Sequence, residues 1–225
     1  VPGGNDGNDD GKGDEAPVIT FPEDSNADRT LNKDEVGSDN KTPVKITVPE
    51  GTEEGDTLVV EINGEKEEIP VTPEIIKDGY TKEVPTNDID NIDVKAHVKD
   101  PAGNESAEGT GSVKVDTTAP NAQTTTLVID TVAGDDNQLS LDEAKQPTAE
   151  VKGTVTGEFK AGDEVVVTVD GNEHKTTVNG EGKFTVNVPV SELQQDADKK
   201  VEAKITATDA AGNKGEVTAE PADYT

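Results

Sequence analysis

The chain has 225 residues, of which 29% are hydrophobic and 2% aromatic, and its formal net charge is −29 at pH 7. It contains no Cys, Met or Trp, which excludes disulfides, thiolate zinc sites and a cysteine nucleophile. A surface this acidic repels nucleic acid and anionic lipid, and neither is expected as a partner. No stretch of the sequence is apolar enough to predict a membrane span. Repulsion among the carboxylates opposes compaction, and calcium is the cation best suited to neutralise them.

Residues 1–15 are mainly Gly, Asn and Asp with little to bury, and this composition predicts a disordered acidic linker. From residue 16 onwards the chain repeats itself. Ala16-Pro17 recurs as Ala119-Pro120, and Asp100-Pro-Ala-Gly-Asn104 recurs as Asp209-Ala-Ala-Gly-Asn213. The repeat predicts two equivalent tandem domains.

Each copy alternates apolar and polar residues at period two, as in Val44, Ile46 and Val48. Turn-forming Asp-Gly, Asn-Gly and Ala-Gly-Asn segments separate these runs. About seven short strands per hundred residues, with no long helical pattern, are typical of an immunoglobulin-like sandwich. The predicted fold class is therefore all-β, with two tandem immunoglobulin-like β-sandwich domains at 16–116 and 117–225 after the linker.

Residues 24–35 have the oxygen spacing of a calcium-binding EF-hand loop. The apolar eighth position is Leu31, but Arg29 stands at the sixth position, where the motif has glycine. The alternative interpretation is a solvated acidic turn. The candidate ligands are Asp24, Asn26, Asp28, the carbonyl group of Thr30, and Glu35.

Residues 130–143 form a weaker copy of this loop, in which Asp136 and Glu143 keep the positions of the fifth and twelfth residues. The first and third positions have no oxygen-bearing side chain, so Asp130 and Asp135 would have to substitute for them. The second loop is therefore the less specific calcium signal.

Three further carboxylates are candidate ligands. In a sandwich of this topology, Asp209 in the second F–G turn and Asp116 in the linker are expected to converge with the first loop on the joint between domains. Asp100 is the counterpart of Asp209 in the first domain. The alternatives are that Asp100 and Asp209 cap their turns through Asx hydrogen bonds, and that Asp116 is only a polar linker residue.

Three segments together resemble the bacterial immunoglobulin-like repeats of giant RTX adhesins over residues 16–225. They are Asp116-Thr-Thr-Ala-Pro120, Thr208-Asp-Ala-Ala-Gly-Asn213 and Ile129-Asp-Thr-Val-Ala-Gly-Asp-Asp-Asn137. The resemblance implies type I secretion from a Gram-negative bacterium, display at the cell surface, and a calcium-stiffened stalk that holds a distal adhesin away from the cell. It also implies a monomer whose neighbours are further repeats of its own chain. The first domain departs from the pattern at Arg29 and Pro101.

Catalysis is not expected. His97 and His174 have no nucleophile context such as Gly-x-Ser-x-Gly, and a pair of carboxylates is certain to occur by chance among 49 acidic residues. The favoured function is a calcium-stiffened extender of a surface adhesin. The alternatives are a calcium-dependent module that binds a glycan or host protein, an accessory domain of an enzyme, and an acidic surface that reflects salt adaptation alone.

Overall fold

The computed structural model describes residues 1–4 and 13–225, so most of the predicted linker at 1–15 lies outside the described residues. The described residues form two compact units, Val1–Thr117 and Thr118–Thr225, and each unit is treated separately below. Both are built from β-sheets, and the predicted all-β, immunoglobulin-like class is confirmed. None of the helices in the described parts of the chain is long and apolar enough to cross a membrane.

The first unit is a sandwich of a three-stranded and a five-stranded sheet. The elements are β1 (Val18–Thr20), β2 (Thr30–Leu31), α1 (Lys33–Val36), β3 (Lys41–Thr47), β4 (Thr57–Ile62), β5 (Glu65–Pro70), α2 (Pro73–Asp78), β6 (Tyr80–Pro85), β7 (Asn91–Lys99) and β8 (Gly109–Val115). The strand orders of the two sheets are β1-β3-β6 and β2-β8-β7-β4-β5. All strand pairs are antiparallel except β2 and β8, which run parallel.

The second unit has the same two-layer plan. Its elements are β9 (Thr125–Val132), β10 (Thr148–Gly157), β11 (Glu164–Val169), β12 (Asn172–Thr177), β13 (Lys183–Pro189), α3 (Val190–Gln195), β14 (Lys200–Thr208), β15 (Lys214–Thr218) and β16 (Ala222–Asp223). A short 3-10 helix at Glu143–Lys145 precedes β10. One sheet has the order β13-β10-β9, and the other has the order β12-β11-β14-β15, with β16 also paired to β14.

The cores consist of the inward-facing residues of both sheets, as the period-two pattern requires. In the first unit Leu31, Ile46 and Leu58 are fully buried, and in the second Ile205 and Leu193 are. Full burial of each such side chain contributes roughly 1.5–3 kcal/mol. Because aromatic residues are so few, these aliphatic contacts supply most of the hydrophobic stabilisation.

Gly153 in β10 leaves room for the side chain of Phe184 in the core of the second unit. Its cross-strand partner is Phe184, and a β-carbon at residue 153 would overlap the Phe184 ring and the Val128 carbonyl oxygen. The ring of Phe184 therefore lies over the bare backbone of β10.

Candidate calcium sites

The first candidate loop is attached to the last strand of its unit. Thr30 and Leu31 form β2, which pairs in parallel with Lys114 and Val115 at the end of β8. The Lys114 N–H donates to the Arg29 carbonyl at 3.0 Å. Leu31 is fully buried and anchors the loop to the core, so the loop and the end of β8 are fixed to one another.

The side-chain oxygens in the first half of the loop accept hydrogen bonds from the loop's own backbone. Asp24 accepts from the N–H groups of Asp28 at 3.2 Å and Arg29 at 3.1 Å. Asn26 also accepts from the Asp28 N–H at 2.9 Å, and Asp28 accepts from the Thr30 N–H at 2.8 Å. The loop thus curls around its own oxygens, with Asx turns at Asn26 and Asp28 and longer-range bonds to Asp24.

Glu35 joins the end of the loop to its beginning. It is the third residue of α1 and belongs to a capping box, in which Asn32 accepts from the Glu35 N–H at 3.0 Å and Glu35 accepts from the Asn32 N–H at 3.1 Å. Its other carboxylate oxygen accepts from both the N–H and the hydroxyl of Ser25 at 3.2 Å. The twelfth residue of the loop therefore lies beside the second.

Arg29 adopts the backbone conformation for which the EF-hand uses glycine, with a φ of +65°. The left-handed region is unfavourable for a residue with a β-carbon by roughly 1–2 kcal/mol. The sequence departure at this position therefore changes the side chain and adds strain, but it leaves the turn intact.

The residue types of the first loop fit calcium. Asp24, Asn26, Asp28 and Glu35 offer hard side-chain oxygens. The Thr30 carbonyl faces away from β8, since carbonyl directions alternate along a strand and its neighbour Leu31 directs its own carbonyl to the Asp116 N–H at 2.9 Å. Across residues 1–4 and 13–225, no three His, Asp or Glu side chains form a metal cluster by themselves, so amide and carbonyl oxygens are needed to complete this set.

The second loop is likewise attached by backbone hydrogen bonds to the end of its own unit. The Leu139 N–H donates to the Thr225 carbonyl at 2.6 Å, and the Thr225 N–H donates to the Asn137 carbonyl at 3.0 Å. Ser140 and Glu143 form reciprocal bonds of 3.3 and 2.8 Å, equivalent to those of the first capping box. The hydrogen bonds from the Ser140 hydroxyl and N–H lower the pKa of Glu143.

The second loop brings fewer oxygens together. A β-carbon at Gly134 would lie 3.0 Å from Oε1 of Glu143 and 3.8 Å from Oδ1 of Asp136, so these two carboxylates flank the glycine. Asp130 instead lies in β9, where the pairing with β10 is irregular, and accepts from the Thr154 hydroxyl. Asp135 lies near Lys152, whose pKa is raised chiefly by a hydrogen bond to Glu150 and less by Asp135. The donor set of this loop is therefore less complete than that of the first.

Asp100 and Asp209 occupy identical turns. Asp100 accepts from the N–H and side-chain amide of Asn104 at 2.9 and 2.7 Å, and Asp209 accepts from the same groups of Asn213 at 2.9 and 3.0 Å. The side-chain bond from Asn104 lowers the pKa of Asp100. Each aspartate therefore caps its turn, as in the alternative to metal binding given above, but through the residue four positions on and not through an Asx bond two positions on. Ligation by Asp100, Asp209 or Asp116 stays a prediction.

The residues that position the loop glutamates were not predicted from the sequence. Asn32 and Ser140 each lie three residues before a loop glutamate, and this capping-box spacing was available in the sequence. Ser25 has no comparable signal, because its role depends on the folded loop.

No protein-family model matches the chain, and no curated protein shows significant similarity to it. Among solved structures, the chain is similar to a 1.5-MDa bacterial ice-binding adhesin studied for host cell surface retention, with 27% identity and a TM-score of 0.61 over 95% of this chain and 65% of that chain. It is also similar to a Ca²⁺-stabilized adhesin that helps an Antarctic bacterium reach out and bind ice, with 29% identity and a TM-score of 0.60 over 94% of this chain and 49% of that chain.

A bacterial immunoglobulin-like domain from the M. primoryensis ice-binding adhesin matches 44% of this chain and 94% of its own, at 32% identity and a TM-score of 0.40. The chain spans less than two thirds of the first two structures. The fold is that of two tandem immunoglobulin-like β-sandwich domains. The tandem resembles the extender repeats of ice-binding RTX adhesins, which confirms the resemblance inferred from the sequence.

Proposed function

We propose that this chain is a calcium-stiffened extender segment of a bacterial cell-surface adhesin, and that it projects a distal binding domain away from the cell. Similarity to two ice-binding adhesins, one described as Ca²⁺-stabilized, supports the proposal. The net charge of −29 supports it as well, because a divalent cation relieves the repulsion between neighbouring carboxylates. Type I secretion, a monomeric state and contacts to neighbouring repeats belong to the same proposal.

The main structural support for this proposal is the hydrogen bond between Leu31 in the first loop and Asp116 at the end of the first unit. Asp24 and Glu35, the two ends of the candidate loop, would hold calcium together with the oxygens between them. The Asp116 N–H donates to the Leu31 carbonyl inside this loop, one residue before the unit ends at Thr117. A loop held by calcium would therefore fix the direction in which the chain leaves the unit.

Weak binding would suit this role. Extracellular calcium modules often have dissociation constants of about 10⁻⁴–10⁻³ M. Binding to the native state stabilises it by about 2.7 kcal/mol at a hundredfold excess of calcium over the dissociation constant. The segment would be flexible in a calcium-poor cytoplasm and stiff in calcium-rich surroundings.

The proposal assigns no catalytic role to the two histidines. Each faces a glutamate: His174 bonds to Glu192, and Nε2 of His97 lies 3.7 Å from Glu105. These pairs act as structural contacts within the sandwich.

X-ray scattering and thermal melting, each with calcium and then with chelator, test the proposal. The wild-type chain should gain both maximum dimension and melting temperature in calcium, and Glu35→Gln should lose both gains. Glu54→Gln is the matched control, because Glu54 is an exposed acidic residue outside the loop. Equal dimensions and equal stability in the two buffers would overturn the proposal.

A further inference from the structure

Two stretches of the chain have almost the same sequence, and each contains an asparagine followed by glycine. They are Ile62-Asn-Gly-Glu65 and Val178-Asn-Gly-Glu181, and no other Asn-Gly pair occurs in the 225 residues. In both stretches the asparagine and the glycine are exposed. Because the neighbouring residues match so closely, a difference in chemistry between Asn63 and Asn179 must come from the fold.

The side chain of Asn63 is held by a neighbouring strand. Its amide nitrogen donates to the Asn91 carbonyl at 3.1 Å, and its amide oxygen accepts from the Asp93 N–H at 2.8 Å. The backbone N–H of Asn63 also donates to the Asp93 carbonyl, at 2.9 Å. Both ends of the side-chain amide are therefore bound to β7, and rotation of this amide toward the Gly64 nitrogen would break both bonds.

The side chain of Asn179 instead folds back over its own loop, residues 178–182 between β12 and β13. Its amide oxygen accepts from the N–H groups of Glu181 at 3.0 Å and Lys183 at 2.9 Å. Among the residues that the structure describes, none accepts from the Asn179 amide nitrogen or from the Gly180 N–H. The amide of Asn179 therefore lies beside the backbone of Gly180, and neither nitrogen is held by a hydrogen bond.

These contacts favour attack of the Gly180 nitrogen on the side-chain amide of Asn179. The two N–H donors at the amide oxygen stabilise the negative charge that develops there during the attack, as in an oxyanion hole. A β-carbon at Gly180 would meet no atom within 4 Å, so the loop has room for a five-membered ring. Glycine also gives the backbone the freedom to close this ring.

We propose that Asn179 is a site of spontaneous deamidation and that the fold protects Asn63 from the same reaction. The Gly180 nitrogen bonds to Cγ of Asn179 and loses its proton to water, while the bond from Cγ to the amide nitrogen breaks and ammonia leaves. Water then opens the cyclic imide. Opening at Cγ gives aspartate, and opening at the main-chain carbonyl gives isoaspartate, in which the backbone runs through the side chain. The reaction consumes water and requires neither calcium nor a protein partner.

The two products affect the second unit differently. Aspartate keeps an oxygen that can accept from the Glu181 and Lys183 N–H groups, as Asp209 accepts in its own turn. Isoaspartate adds a carbon to the backbone where the Asn179 N–H donates to the Lys183 carbonyl at 2.9 Å and the Gly182 N–H donates to the Asn179 carbonyl at 3.1 Å. Because this loop joins the two sheets of the unit, isoaspartate should lower the melting temperature of the second unit as the chain ages.

Peptide mapping by mass spectrometry tests the inference on the full chain, incubated at mildly alkaline pH in native buffer and, in parallel, in concentrated urea. In native buffer Asn179 should deamidate about tenfold or more faster than Asn63, because two hydrogen bonds hold the Asn63 amide on β7. In urea the two asparagines should react at similar rates, since their local sequences match.

Gly180→Ala should slow the reaction at Asn179, because the new methyl group crowds the attacking nitrogen. The variant should fold, since Gly180 has open space around it and no left-handed backbone. Glu181→Gln is the control, because it changes an exposed side chain and keeps the N–H that bonds to Asn179, so the rate should not change. Equal rates at the two asparagines in native buffer would overturn the proposal. Loss at Asn179 in urea alone would also overturn it, since the folded loop would then be protective.

Discussion

Replacing Arg29 with glycine is expected to stabilise the first unit. Arg29 has a φ of +65°, a conformation that is unfavourable by about 1–2 kcal/mol for a residue with a β-carbon. Glycine removes this strain but loses about 0.5–1 kcal/mol more backbone entropy on folding. Because the Arg29 side chain forms no ion pair within the described residues, the net gain should be about 0.5–1 kcal/mol.

Differential scanning calorimetry in chelator measures this gain without tryptophan fluorescence, which the chain lacks. A gain of this size raises the melting temperature of the first unit by about 2–8 °C. Two control variants separate the effect of backbone strain on stability from the effect of the Arg29 charge. Arg29→Ala removes the charge and keeps the strain, so it should give little gain. Asn137→Gly changes the equivalent residue, with a φ of +54°, where asparagine already tolerates the conformation and its side chain accepts from the Val132 N–H at 2.8 Å, so no gain is expected there.

An equal gain from Arg29→Ala would show that charge, not backbone strain, governs stability at this position. A lower melting temperature for Arg29→Gly would show that the side chain makes stabilising contacts that outweigh the strain. Either result would refute the strain argument.

Three further substitutions have defined expectations. Gly153→Ala should destabilise the second unit by about 1–3 kcal/mol or more, because the new methyl group overlaps Phe184, and calorimetry should show one transition falling while the other stays. Leu31→Ala should lower the stability of the first unit by about 2–5 kcal/mol, since Leu31 is fully buried, and urea unfolding measures the loss. Burial and then the bond to Asp196 raise the pKa of Tyr224, so its stabilisation is fully present below the unfolded value near pH 10 and is lost as pH rises through the folded value. Melts between pH 8 and about pH 12 should therefore fall more steeply for wild type than for Tyr224→Phe, and parallel curves would contradict this expectation.

The alternation of apolar residues located most strands because side chains on a strand point to opposite faces in turn. Val44 and Ile46 are buried in β3, and Val201, Ala203 and Ile205 are buried in β14. The short elements α2 and β2 could not be predicted from this alternation. Six and two residues are too few to establish a period, although Thr72 before Pro73 is a recognisable helix start in α2.

The candidate loop could be located from oxygen spacing, and the left-handed backbone of Arg29 falls where the motif has glycine. The attachment of the loop to the sandwich could not be predicted, because β2 pairs with β8, a contact distant in sequence. Likewise, the position of Asp130 follows from an irregularity between β9 and β10 that leaves its carboxylate at Thr154. Spacing along the chain carries no information about either contact.

Calorimetry of the full chain across stepped calcium concentrations tests most directly whether the first loop binds calcium. Above the dissociation constant, each tenfold rise in calcium should add about 1.4 kcal/mol to the first unit, which Leu31→Ala identifies by its shifted transition. The second unit, with the less complete donor set, should respond less, and Glu35→Gln should abolish the response of the first. Transitions that stay fixed from chelator to millimolar calcium, or a full response in Glu35→Gln, would contradict the account.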